Sequence, residues 1–328
     1  MEHFDYLNRA KVSNYLSENS HGIKFGKGIK LLSNIDQLNQ YDSDFVMFGI
    51  PDGLNDLSNF EKFENMTSFH HTLKELVNIQ DNLYNHPQNL IILGEINPDH
   101  FYKKAKSLDT TSESYTTLLQ SIYSEINHFV AELVSAIVES QKIPIIIGGN
   151  HIYSHGIVKG TSRALGSPIN ILNISPTSYF KQNSNFSSTD VKENLNDFIN
   201  RLNVFGLHKN YTSQIIYDRI TTDKHAKLHF FEDSLHLTTL DKSVQLKNAL
   251  DFLKNKFGLE LNLESIDGMN FHSEAFLAFS VRDIRTFIKI IRKERVDYVH
   301  FSINETDQNK RLGKSLSYLI SDFLRYDS

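Results

Sequence analysis

Ile143-Pro144-Ile145-Ile146-Ile147-Gly148-Gly149-Asn150-His151 is an apolar run that breaks into two glycines and a polar pair. The run is too short for a buried helix and rich in β-branched residues, as a strand covered on both faces should be. Similar runs recur at Phe45–Ile50, Leu90–Leu93, Ile169–Ile174, Val204–Leu207, Leu228–Phe231, Leu259–Leu263 and Tyr298–Phe301. Between them lie stretches with helical spacing. The clearest, Ser112–Ser140, repeats Leu118, Leu119, Ile122, Ile126, Phe129, Val130, Leu133 and Ile137 on one side. Ser243–Lys256, Val281–Arg292 and Lys314–Leu324 follow the same pattern. Strands alternating with helices imply parallel crossovers and a three-layer α/β/α sandwich around a mainly parallel eight-stranded sheet. No Pro-, Gly- or Ser-rich linker and no repeat interrupts the chain, so residues 1–328 are expected to form one domain. Thr177–Asp190 and Asn55–His71 read as loops.

Open parallel sheets bind ligands outside the carboxyl ends of their strands. Three such ends are unusual here: Gly148-Gly149-Asn150-His151, Asn173-Ile174-Ser175-Pro176-Thr177 and Asn262-Leu263-Glu264-Ser265-Ile266-Asp267. In order and spacing the three together resemble the ureohydrolase family of arginase, agmatinase and formimidoylglutamase. That family carries Gly-Gly-Asp-His, Asp-Ala-His-x-Asp and Asp-x-Asp-x-x-Asp at the corresponding places. The likeness runs from the strand ending Gly49-Ile50-Pro51-Asp52 to the final helix, and it implies an arginase-like fold.

The resemblance also implies two manganese ions held by two histidines and four aspartates. Carried over residue by residue, the ligand positions are His151, Asn173, Ser175, Thr177, Asn262 and Glu264, with the last aspartate of the third motif kept as Asp267. Asn150 stands for the motif's first aspartate. Four of the six ligand positions are therefore neutral, leaving only His151 and Glu264. Manganese sites of this kind draw affinity from carboxylate and imidazole donors. Two dications about 4 Å apart need bridging carboxylates to offset their repulsion. The resemblance puts Asn173 and Asn262 at the bridging places, and an amide carries no charge. Aspartates clustered without metal would repel one another, whereas Asn, Ser and Thr can form an uncharged hydrogen-bonded cluster. The expectation is a dismantled site and no metal cofactor.

Other family positions follow suit. Ser302 falls where the family has a glutamate that meets the guanidinium-like substrate, with Glu305 as a displaced substitute. Asn183–Ser188 lacks the proton-shuttling histidine that arginases carry in that loop. Ser154 and His155 beside His151 suggest a hydrolase triad, but no Gly-x-Ser-x-Gly elbow is present. Gly26-Lys27-Gly28 and Lys159-Gly160-Thr161 lack the full phosphate-loop pattern. His70-His71 reads as a solvated turn, and Arg282, Arg285, Lys289, Arg292, Lys293 and Arg295 as a solvated helix face.

The bulk numbers exclude several classes. A net charge of −5 gives no global pull toward nucleic acid or an anionic membrane. The absence of cysteine excludes disulfides, thiolate metal sites and cysteine nucleophiles. Met1-Glu2-His3-Phe4-Asp5 does not begin a signal peptide, and no long apolar run spans a membrane, so a cytoplasmic location is expected. Two functions remain. One is a pseudoenzyme that binds or regulates, holding a small amino-acid-like ligand in the relic cleft, as a homo-oligomer or with an active relative. The other is an active hydrolase of C–N bonds in guanidino or formimino compounds with an altered metal site, using His151, Glu264 and Asp267 or Glu305 as acid and base.

Overall fold

The structure is a computed structural model that describes residues 3–18, 22–51, 67–177, 197–254, 256–269, 277–303 and 310–325. Its strands are β1 (Phe4–Tyr6), β2 (Lys30–Leu31), β3 (Phe45–Gly49), β4 (Leu90–Ile96), β5 (Ile143–Ile147), β6 (Ile169–Ile174), β7 (Ile199–Leu207), β8 (Ala226–Phe230), β9 (Phe257–Asn262) and β10 (Val296–Ser302). They form one sheet in the order β1-β4-β3-β5-β10-β9-β6-β7-β8. All eight expected strands are present. The sheet has ten because β2 pairs parallel and β1 antiparallel along the same edge of β4. These two are only two and three residues long, too short for their alternation to register in a sequence.

The helices are α1 (Arg9–Ser13), α2 (Phe25–Gly28), α3 (Ser68–Leu76), α4 (Asp99–Lys106), α5 (Tyr115–Glu139), α6 (Ser154–Leu165), α7 (Gln214–Thr222), α8 (Thr239–Leu253), α9 (Val281–Ile291) and α10 (Lys310–Leu324). Alternating strand residues feed two cores. Met47, Ile145, Ile147, Leu259 and Phe301 meet α3, α8, α9 and α10 on one face. Val46, Phe48, Ile146, Ile171 and Tyr298 meet α4, α5, α6 and α7 on the other. Neither side of the central strands faces water, which is why they read as unbroken apolar runs.

Three sequence expectations change. Ser68–His71, read as loop, is the first turn of α3. The side chain of Thr67 caps it by accepting from the backbone N–H of His70 at 3.4 Å. His70 is accordingly no solvated turn residue: its Nδ1 lies 2.9 Å from Thr67 Oγ1 and 3.1 Å from Glu95. Burial holds its pKa below the usual histidine value, with Lys11 and His71 adding to the effect. The basic helix face is also partly committed, because Arg285 forks onto Asp322 of α10 and Arg292 bonds the Arg325 carbonyl.

Candidate functional site

The three marked segments follow β5, β6 and β9, and Ser302 ends β10. These strands are consecutive in the sheet, as β5-β10-β9-β6. Parallel pairing puts all four carboxyl ends on one side. Ser302 stands opposite Asn262 in register, and Gly148 N donates to Phe301 O at 3.0 Å while Ile303 N donates to Gly149 O at 2.8 Å. Residues more than a hundred positions apart thus border a single edge of the sheet.

Gly148 and Gly149 both have positive φ, +87° and +66°, which lets the chain turn sharply off β5. At Gly149 a Cβ would also lie 2.7 Å from the Tyr153 ring. Asn150 then caps the short turn His151–Tyr153, its Oδ1 accepting from Ile152 N at 2.8 Å. Asn262 does the same for Leu263–Ser265, accepting from Glu264 N at 2.9 Å. Ser175 donates to the Thr177 carbonyl at 2.7 Å and accepts from Thr177 N at 3.3 Å. Glu264 is buried and His151 half-buried. Asp267 is exposed, its N–H bonded to Phe279 O at 2.8 Å. Glu305 and Asn183–Ser188 lie outside the described residues, as does Thr177–Asp190 beyond Thr177.

Two polar side chains in this row are buried with no hydrogen bond among the described residues. Asn173 is 0% exposed, and neither its Oδ1 nor its Nδ2 has a partner; Ser302 Oγ is the second case. An amide shut away from water without a hydrogen bond is costly, on the order of 2–7 kcal/mol depending on the reference.

Directly beneath the row lies a network that sequence reading did not single out. Glu260 of β9 is fully buried. Its Oε2 accepts from Ser154 Oγ at 2.9 Å and lies 2.7 Å from His300 Nδ1, while Oε1 accepts from Tyr298 OH at 2.8 Å. His300 Nε2 lies 3.1 Å from the Gly148 carbonyl. A carbonyl only accepts, so Nε2 is the donor to Gly148, while Nδ1 faces a carboxylate oxygen. Burial alone would raise the Glu260 carboxyl. His300 opposes this through charge and hydrogen bond, joined by Tyr298 and Ser154, and holds it below the usual glutamate range. The signal was available: a Glu and a His in the middle of strands covered on both faces must find each other or some other partner. Ser154 is tied to a carboxylate rather than to His155, so the two neighbours form no triad. Burial lowers the pKa of His155, with a smaller push from Lys159.

The donor set does not fit two manganese ions. Asn262 has its side-chain oxygen engaged as a cap, Ser175 has its hydroxyl engaged on the chain, and Asn173 brings no charge to a bridging place. No group of three or more His, Asp or Glu side chains that could hold a metal occurs among the described residues.

Comparison with known proteins agrees with the fold. Residues 78–176 match the model of the arginase family. No curated protein matches the chain by sequence. Formimidoylglutamase from Bacillus subtilis superposes with a TM-score of 0.65 at 14% identity, covering 94% of this chain and 93% of its own. The formiminoglutamase of Trypanosoma cruzi with Mn2+2 gives 0.64 at 11%, covering 93% and 98%. Arginase from Bacillus cereus gives 0.61 at 10%, covering 88% and 100%. The resemblance read from the strand-end motifs is thus borne out. No helix among the described residues is long and apolar enough to cross a membrane.

Proposed function

Because this chain carries the arginase-family signature over residues 78–176 and an arginase-like fold, we propose that it is a ureohydrolase homologue whose two-metal site has been dismantled, a pseudoenzyme that acts by binding. The observation that carries this reading is the state of the side chains at the ligand positions. Neutral groups stand at four of them, and those of Asn262 and Ser175 have taken up local hydrogen bonds that a metal-bound oxygen would have to give up. Rebuilding either metal shell would need charge that Asn173, Ser175, Thr177 and Asn262 do not supply.

His151 and the buried Glu264 keep acid–base character at the site, which is why hydrolysis of a guanidino or formimino C–N bond is the reading to test against. Elemental analysis of protein purified without chelator, loaded with manganese and dialysed, decides between them. Substoichiometric manganese, cobalt, nickel and zinc supports a binding role for the cleft. One or two equivalents retained through dialysis overturn it, and arginine, agmatine and formimidoylglutamate then become the substrates to assay.

A further inference from the structure

On the opposite side of the sheet from the cleft, at the amino ends of β6, β7, β9 and β10, lies a hollow of about 1230 Å³. Apolar wall is supplied by Leu165, Ile169, Leu250 and Phe257. Two of its polar lining residues, Asn170 and Asp297, are more than nine-tenths buried, at 6% and 8% exposure. The amide of Asn170 is committed: Nδ2 donates to the Lys256 carbonyl at 3.0 Å, and Oδ1 accepts from Asn200 Nδ2 at 3.0 Å. The Asp297 carboxyl has no such partner, making neither a hydrogen bond nor an ion pair among the described residues. Burial pushes it up to about 6, against a smaller opposing pull from Lys256. Exposed cations stand around it. Lys254, Lys256 and Arg295 line the hollow and form no ion pair among the described residues.

A buried carboxyl without a partner calls for a cation or a proton. Asp251 and Glu294 also line the hollow, so a simple cation would meet four basic side chains, Lys254, Lys256, Lys293 and Arg295, against these two acids, and a simple anion would meet Asp297. A molecule carrying both signs satisfies the two halves together. We propose that this amino-end hollow binds a small zwitterion, an amino acid or short peptide, whose ammonium or guanidinium group pairs with Asp297 while its carboxylate lies among Lys254, Lys256 and Arg295. The site is on the other side of the sheet from the metal positions and stands whether or not the cleft is catalytic.

Titration calorimetry on the full chain at neutral pH tests this, with L-lysine, L-arginine and lysyl-lysine as probes and with acetate and butylamine as single-ended controls. Saturable binding is expected for at least one zwitterion, with both controls weaker by about tenfold or more. Asp297→Asn, which keeps the shape, should weaken that binding by about tenfold or more. The surface double variant Lys254→Ala/Arg295→Ala should weaken it as well, with a melting curve like that of the parent. Absence of saturation by every zwitterion at concentrations on the order of 10 mM overturns the proposal. So does equal affinity in a folded Asp297→Asn protein, or equal binding of either single-ended control.

Discussion

Glu260 and His300 stand opposite one another in register on β9 and β10, forty residues apart in sequence. Nothing local announces the pair, because each residue interrupts an otherwise apolar run whose length and composition still read as strand. What the sequence does carry at this scale is the row of strand ends: Asn173, Asn262 and Ser302 fall at the carboxyl ends of β6, β9 and β10, and Asn150 follows β5, in the sheet order β5-β10-β9-β6. What it could not carry is which of them are satisfied, since that depends on partners as near as Ile152 and Glu264 or, for Asn173, on none among the described residues. The pair has a measurable consequence. Glu260→Leu leaves the donors of Ser154, Tyr298 and His300 buried without their acceptor, and removing one partner of a buried pair costs about 3–5 kcal/mol. The folded pKa of Glu260 lies below its ordinary 4.5, so the carboxylate's contribution is present above that value and is lost as pH falls through the folded value. Urea unfolding of parent and variant should therefore show a constant gap near neutrality that narrows on acidification below 4.5. A gap that stays constant into strong acid would mean that Glu260 is held as a neutral acid.

Among the elements, α5 was legible almost residue for residue, because its apolar stripe runs over twenty-five residues. The opening of α3, on the other face of the sheet, was not, since its polar first turn is held by Thr67 and by Glu95 from β4, contacts that no periodicity reveals. The junction of α5 with α6 shows why small residues matter beyond propensity. Gly156 and Gly160 lie one turn apart on α6, facing the backbone of α5. An added Cβ would come within 2.5 Å of the Asn127 carbonyl oxygen at the first and 2.4 Å of the Ala131 carbonyl oxygen at the second. Helix propensity alone favours Gly160→Ala by about 1 kcal/mol. The clash is with backbone and cannot be relieved by a rotamer change, so α6 must move away from α5, and overpacking of that kind costs about 1–3 kcal/mol. The expected outcome is a net loss of stability in urea unfolding. A more stable Gly160→Ala protein would show that the two helices separate freely.

For the whole molecule, the two cores lie on the two faces of the sheet, in layers built from Leu, Ile, Val and Phe rather than around the strand-end row. The layer order was readable because strands and helices alternate along the chain. The edge of the sheet at β4 was not, because β1 and β2 are too short to leave a pattern. Whether an ion adds to the stability of this layout can be read by linkage, separately from metal content. A site that bound manganese only in the folded state, at a hundredfold excess over its dissociation constant, would add about 2.7 kcal/mol to stability. In a chain of this size that raises the thermal midpoint by roughly 5 °C. The proposed reading predicts a shift below about 1 °C when manganese is added, and the same indifference to a chelator. A midpoint that climbs with manganese concentration and falls with chelator would mean that a metal shell is completed in the folded chain, and the pseudoenzyme reading would then have to be given up.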